Sequence, residues 1–134
     1  MNEHQFVSHV RERAGLESTD EARAAVQATL RVFGSRLTEP VVDDLAAQVP
    51  ESFGSDLTGE SGTEPESFDA ETFVDRVRDR EATDGRIDES DAASHAKAVA
   101  STLADSVGDG ELGGIRAQLP GSYERLFNPD TAGS

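Results

Sequence analysis

The stretch Ala47-Gln48-Val49-Pro50, followed by Phe53 and Leu57, returns in this chain as Ala117-Gln118-Leu119-Pro120, followed by Tyr123 and Phe127. Each residue of the second phrase stands 70 positions after its counterpart in the first. The apolar residues that lead into each phrase also repeat. The sequence therefore predicts two copies of one helical unit.

Three helices are predicted in the first copy. Phe6, Val7 and Val10 have helical spacing, and Gly15 after them is a typical C-terminal stop. A second helix is predicted to begin with the capping box Ser18–Glu21, a serine with a glutamate three positions later. The third helix ends at Pro50, because proline lacks the N–H that a helix interior needs. A short segment with Phe53 and Leu57 then closes the unit.

The second copy repeats this order. Asp69 is predicted to cap a helix whose apolar residues stand 67 positions after those of the first helix. Ser90 is predicted to cap the next helix. The loop 82–89 between the two helices is predicted to be three residues longer than its counterpart, since loops tolerate insertions.

Between the copies, residues 54–66 are rich in glycine, serine and acids and predict a flexible connector. We expect a single domain with repeat one at 2–57, an acidic linker at 58–67, repeat two at 68–127 and a frayed tail at 128–134. No stretch alternates as a half-buried strand would. The predicted fold is all-α, a helical bundle of two tandem repeats related by a pseudo-two-fold axis, each with three helices plus a short closing helix.

Acidic residues dominate the charge of the chain. There are 27 acids against 12 basic residues, which gives a formal net charge of −15. Lys97 is the only lysine. Such a surface repels nucleic acids and anionic membranes, so neither is expected as a partner. The arginines Arg76, Arg78 and Arg80 are the one suggestive basic cluster, but residues two apart do not share a helix face.

This acidic, lysine-poor composition resembles that of cytosolic proteins from halophilic archaea that accumulate salt. At molar ionic strength the Debye length falls to about 3 Å, so carboxylates can crowd a surface with little mutual repulsion. The alternatives are an ordinary acidic protein or one that binds a basic partner. Because the sequence shows no signal peptide and no apolar run of about 18 residues, the expected location is the cytoplasm.

The repeated pattern resembles the DUF2267 family. The resemblance rests on an opening Phe-Val-x-x-Val helix, a long alanine-rich helix and the Ala-Gln-x-Pro phrase with a later aromatic residue, all of which occur twice. The second copy is the better match, apart from Gly113-Gly114, where helix-forming residues are expected. The resemblance implies an α-helical fold and no particular activity.

The candidate site residues are few. Gln48 and Gln118 invite a functional interpretation, but a glutamine there can also hydrogen-bond the free carbonyls of a helix end. His95 is either a partly buried neighbour of the apolar stripe or a contact for a small ligand. Tyr123 and Phe127 are predicted to dock on the core or on a second chain.

No catalytic residue, cofactor or metal site is predicted, because His4 and His9 lie on different helix faces and His95 stands alone in the sequence. The leading hypothesis is a cytoplasmic, non-enzymatic helical module that acts through a protein partner or homo-oligomer. The alternative is a small-ligand binder or enzyme with a pocket between the repeats near His95.

Overall fold

The structure is a computed structural model that describes residues 2–59 and 69–107 and, beyond them, Gly113, Ile115, Ala117 and Tyr123. Within the two ranges all regular structure is helical, which confirms the predicted all-α class. The α-helices are α1 (Glu3–Ala14), α2 (Thr19–Arg36), α3 (Glu39–Gln48), α4 (Glu51–Thr58), α5 (Ala70–Asp84) and α6 (Ala92–Ser106), and a 3-10 helix (Glu89–Asp91) leads into α6.

The caps of α1 and α2 follow from the sequence. Asn2 and Gln5 form a reciprocal capping box at the start of α1, and Gly15 ends that helix in the left-handed conformation at φ 68°. Ser18 caps α2 by accepting from the amide of Glu21 at 3.2 Å. The Ser18 hydroxyl also donates to the Glu21 carboxylate at 3.1 Å. In a full capping box that carboxylate would accept from the Ser18 amide, but here it accepts from the Ser18 hydroxyl.

The connector begins later than its composition predicts. Residues 54–58 belong to α4, and Gly54, Asp56 and Leu57 are buried. The glycine and the aspartate that suggested a flexible segment instead serve a close packing contact and an ion pair. Gly54 lies against Ala46 of α3, and Asp56 accepts from Arg31 of α2.

The loop predicted at 82–89 begins later than expected, because residues 82–84 belong to a helix. Helix α5 has 15 residues where α1 has 12, and it ends at Gly85, which is left-handed at φ 78°. Asp69 caps α5 as predicted, accepting from the amide of Thr72 at 2.9 Å. The prediction for Ser90 is wrong, because Asp88 caps the 3-10 helix and accepts from the amide of Ser90 at 3.0 Å.

Helix α2 lies at the centre of the described bundle and contacts α1, α3, α4, α5 and α6. Two aromatic pairs mark the core on its flanks. Phe33 of α2 meets Phe73 of α5 with ring centroids 4.6 Å apart, and Phe6 of α1 meets Phe53 of α4 at 5.6 Å. At Gly34 a Cβ would stand 2.2 Å from the backbone oxygen of Leu57, so only glycine lets α4 approach α2 this closely.

Candidate functional site

His95 of α6 is buried against a residue that the sequence analysis did not single out. Its Nδ1 lies 2.9 Å from both carboxylate oxygens of Glu81 on α5. The two side chains are 2% and 0% exposed. Glu81 stands four residues after Val77 and eight after Phe73, so it occupies a position of the apolar stripe of α5. That position was the available signal that Glu81 points inward.

The chemistry open to this pair is limited by its enclosure. A carboxylate only accepts hydrogen bonds, so Nδ1 carries the proton and donates it whenever Glu81 is ionised. At this degree of burial neither side chain is open to solvent. In the ranges that the structure describes, no three histidine, aspartate or glutamate side chains are grouped closely enough to hold a metal ion. What the structure shows is a buried hydrogen bond that links α5 to α6.

Tyr123 is also enclosed, at 1% exposure. Its hydroxyl donates to the backbone oxygen of Asp69 at 3.1 Å, and its ring meets Phe73 edge-on with centroids 5.6 Å apart. The guanidinium of the buried Arg36 stands 5.7 Å from the ring centroid, a cation–π distance. Burial raises the pKa of the Tyr123 hydroxyl to about 12, and Arg36 partly opposes that rise.

The structure does not bring the candidate residues together. His95 and Tyr123 both touch α5, but at Glu81 and at Phe73, eight residues or about 12 Å apart along the helix. Gln48 is the last residue of α3, and its side chain is exposed. The helix ends with the amide of Val49 donating to the carbonyl of Leu45. Gln118 and Phe127 lie outside the described residues.

A cleft opens between α2 and α5. Its volume is about 190 Å³. The lining comprises Gln27, Ala28 and Arg31 from α2 and Arg80, Thr83 and Asp84 from α5. Two arginines therefore line one cleft on a chain with a net charge of −15. Arg80 belongs to the cluster of arginines that the sequence analysis discounted because residues two apart do not share a helix face.

Ion pairs fix the charged side chains around this cleft. Arg31 donates through Nε to Asp56 at 3.2 Å, and Arg86 donates to both oxygens of Asp84 at 2.6 and 2.8 Å and to Gln27. The bonds from Arg86 lower the pKa of Asp84. Burial raises the pKa of Asp56, and Arg31 opposes that rise. These contacts hold the side chains of Arg31 and Arg86 against neighbouring carboxylates.

Another arginine, Arg13, lies in the groove between α1 and α6. Arg13 donates to the hydroxyls of Ser101 at 2.9 Å and Thr102 at 3.2 Å, and it forms an ion pair with Asp105. All three partners are on α6, so one guanidinium joins the two helices. Here the positive charge is matched by a carboxylate of the groove itself.

Comparison with known proteins identifies a family. No helix in the described residues is long and apolar enough to cross a bilayer. No curated protein matches the chain. A family model described as an uncharacterised conserved protein, DUF2267, matches residues 3–126, which is nearly the whole sequence and includes every helix above. The chain belongs to the DUF2267 family.

Proposed function

We propose that this chain is a non-enzymatic helical module of the cytoplasm, adapted to concentrated salt, that works by contact with another protein or with a second copy of itself. The observation that carries the proposal is the enclosure of His95. The imidazole of His95, which was the candidate for a ligand contact, is hydrogen-bonded to Glu81 inside the core. A side chain used in that way holds helices together and meets no substrate.

The module is proposed to consist of two copies related by a pseudo-two-fold axis, with repeat one at 2–57, a linker at 58–67, repeat two at 68–127 and a tail at 128–134. The helix contacts support this arrangement. Helix α1 packs on α6, and α5 packs on α2, so the first helix of each copy lies on the second helix of the other. Helices α2 and α6, the second helix of each copy, also contact each other.

The aromatic contacts support the same arrangement. Phe6 and Phe53 are 5.6 Å apart, and so are Phe73 and Tyr123, which stand 67 and 70 positions later in the sequence. Two helix ends also correspond at a spacing of 70. Ser18 and Asp88 are N-caps, and the left-handed Gly15 and Gly85 end the helices before them.

The salt adaptation is supported by where the acids lie. In the described ranges nearly all aspartates and glutamates are exposed or half-buried, and only Asp56 and Glu81 are counted among the buried residues. Each of these two faces a basic partner, Arg31 or His95. The excess negative charge is therefore spread over the surface, where molar salt screens it.

The proposal is tested by two measurements in molar KCl. Sedimentation equilibrium over a wide range of protein concentration detects self-association. Affinity capture on the tagged chain from an extract of a halophilic cell, with excess untagged chain as competitor, detects a specific partner. We expect either concentration-dependent association or a protein that the competitor displaces. A chain that stays monomeric and retains nothing that the competitor displaces would contradict the proposal.

A second candidate function is binding of a small ligand between the copies, and the cleft between α2 and α5 favours it. The cleft lies between a helix of each proposed copy, and Arg80 in its wall is the direct neighbour of Glu81 in sequence. Binding there does not need catalysis and is compatible with a contact module. Saturable binding of a small molecule with no protein partner would favour this second function over the first.

A further inference from the structure

The outer surface of the described helices offers little for a second copy of the chain to dock on. Larger apolar side chains near that surface are half-buried and pack against the core. The apolar side chains that are fully exposed among the described residues are small: Pro40, Ala47, Ala82, Ala93 and Ala117. The centre of a stable protein interface is apolar and depleted in charge, and two chains of net charge −15 repel each other. Self-association through the described residues therefore needs a different surface.

Such a surface lies inside the bundle, between the helices on either side of the connector. We call residues 2–59, with α1–α4, the N-terminal half, and the part with α5 and α6 the C-terminal half. The two halves meet where α1 packs on α6 and where α2 packs on α5 and α6. Phe33 of the N-terminal half lies against Phe73 of the C-terminal half with ring centroids 4.6 Å apart, and both rings are buried. The centre of this interface is therefore apolar.

Polar bonds at the margins of the interface fix how the halves fit together. Arg13 of the N-terminal half donates to Ser101 and forms an ion pair with Asp105 in the C-terminal half. Arg86 of the C-terminal half donates to Gln27 in the N-terminal half. An apolar centre with a polar rim is the arrangement found at specific interfaces between separate proteins.

Every one of these contacts can form equally well between two chains. We propose that a second copy of this chain binds by exchange of halves: the N-terminal half of each copy packs on the C-terminal half of the other. Exchange of identical elements gives a dimer that uses an interface already complementary in shape and charge. The two acidic surfaces need not be pressed together. Exchange is one form of the self-association proposed above and rests on that proposal.

The chain between the halves is long enough for this arrangement, and its length also sets when exchange occurs. Ten residues lead from Gly59 to Asp69, and they can span at most about 35 Å. Helix α2, with 18 residues, is about 27 Å long. A short connector holds the halves of one chain together at an effective concentration on the order of 1 mM. The exchanged dimer is therefore expected as the protein concentration approaches that value, and the closed monomer is expected in dilute solution.

Cysteine pairs across the interface can report which chain each half comes from, because the natural chain has no cysteine. The variant Arg13→Cys/Asp105→Cys places one thiol on α1 and one on α6, where a short bismaleimide can join them. In a closed monomer, or in a dimer formed by surface docking, the cross-link stays within one chain. In the exchanged dimer it joins two chains.

Two further variants complete the design. Gln27→Cys/Arg86→Cys marks the α2 side of the same interface and serves if the first variant does not fold, which circular dichroism checks. Asp75→Cys/Arg78→Cys is the matched control, because both positions are exposed on α5 and form an ion pair there. A cross-link between them stays within one chain in every arrangement, so any joined chains in this variant measure random collision.

Each variant is refolded from urea in molar KCl at about 10 µM and at about 1 mM, which lie below and near the effective concentration. The samples are diluted, cross-linked at once and analysed on denaturing gels, and sedimentation equilibrium is measured on wild type refolded in the same way. We expect joined chains from the two interface variants at the higher concentration only, well above the control, and a dimer of the wild type.

Two results would overturn the exchange. A dimer in sedimentation whose cross-links stay within single chains would do so and would leave the proposed self-association standing. A wild type that remains monomeric after refolding at the higher concentration would also do so. A partner captured from the extract would still support the contact module in that case.

Discussion

His95 on α6 and Glu81 on α5 face each other inside the core, with the imidazole Nδ1 2.9 Å from each carboxylate oxygen. The positions 67 before Glu81 and 70 before His95 are occupied by Ala14 and Ala25. Under the proposed pairing of the two copies, the polar pair is peculiar to the second copy, and two small apolar residues take its place in the first.

Removing one member of this pair should be costly. We expect His95→Leu to lower the free energy of unfolding by about 3–5 kcal/mol, because it leaves a carboxylate buried without its partner. The double variant Glu81→Met/His95→Leu should recover most of that loss, since it removes both polar groups and keeps the volume. Urea unfolding in molar KCl measures both. A single variant as stable as the wild type would show that the pair contributes nothing to the core.

Replacing Thr29 on α2 by valine should stabilise the protein. The Thr29 hydroxyl is fully buried and has no hydrogen-bond partner among the described residues, and the residue 70 positions later is already Val99. We expect Thr29→Val to raise the free energy of unfolding by about 1–2 kcal/mol, because the desolvated hydroxyl is removed without loss of shape.

Thr102→Val is the matched control for that change. The Thr102 hydroxyl donates to the Ala98 oxygen at 2.8 Å and accepts from Arg13 at 3.2 Å. The same exchange should therefore cost about 1 kcal/mol there. Thermal unfolding measures both changes in stability. A gain for Thr29→Val with a loss for Thr102→Val would support an unsatisfied hydroxyl at Thr29, and a loss of stability for Thr29→Val would contradict it.

Gly34 should not tolerate a side chain. A Cβ at this position would meet the Leu57 oxygen at 2.2 Å, and that oxygen belongs to the α4 backbone and cannot turn aside. We expect Gly34→Ala to cost about 3 kcal/mol by forcing α4 away from α2. Gly113→Ala is the control, because Gly113 is helical, exposed and has open space at its Cβ. There alanine should gain about 1 kcal/mol.

Tyr123 provides an alkaline probe of folding, since it is the only tyrosine and the chain has no tryptophan. Absorbance of the tyrosinate should show a midpoint of about 12 in the folded chain and about 10 in denaturant. The folded pKa is raised, so the stability that Tyr123 contributes is fully present below about pH 10 and is lost as the pH rises towards 12. Tyr123→Phe should weaken that alkaline loss. A midpoint near 10 in the folded chain would show that the ring is open to water.

Salt should stabilise the whole chain. With 27 acids against 12 basic residues, self-repulsion opposes folding in dilute buffer and is screened in molar KCl. We expect Tm to rise between the two conditions. Asp43→Lys/Asp44→Lys, which exchanges two exposed acids of α3 for bases, should reduce the rise. A Tm that does not respond to KCl would reject the salt adaptation.

Local signals in the sequence were enough to locate most helices. Gly15, Ser18 and Asp69 mark helix ends as predicted, and Pro50 separates α3 from α4. The error at the connector has a tertiary cause. Gly54 and Asp56 indicate a connector by composition, yet they lie in α4, because their role depends on Ala46 and Arg31 in other helices.

The candidate site was less predictable for the same reason. His95 was identified from the sequence, but Glu81 was not, because an acid in an acidic chain is expected on the surface. The cleft between Arg31 and Arg80 could not be seen either, since those residues are far apart in sequence and meet only where α5 packs on α2.

By itself the sequence determined the helical class, the helix ends at Gly15, Ser18 and Asp69 and the acidic surface, because hydrophobic period, capping residues and net charge act within a few residues or on the chain as a whole. Only the tertiary structure decided which polar groups are enclosed and which face a cleft. Burial and pairing depend on contacts between helices, so the partner of His95, the burial of Tyr123 and the arginine cleft became apparent only when those helices were packed together.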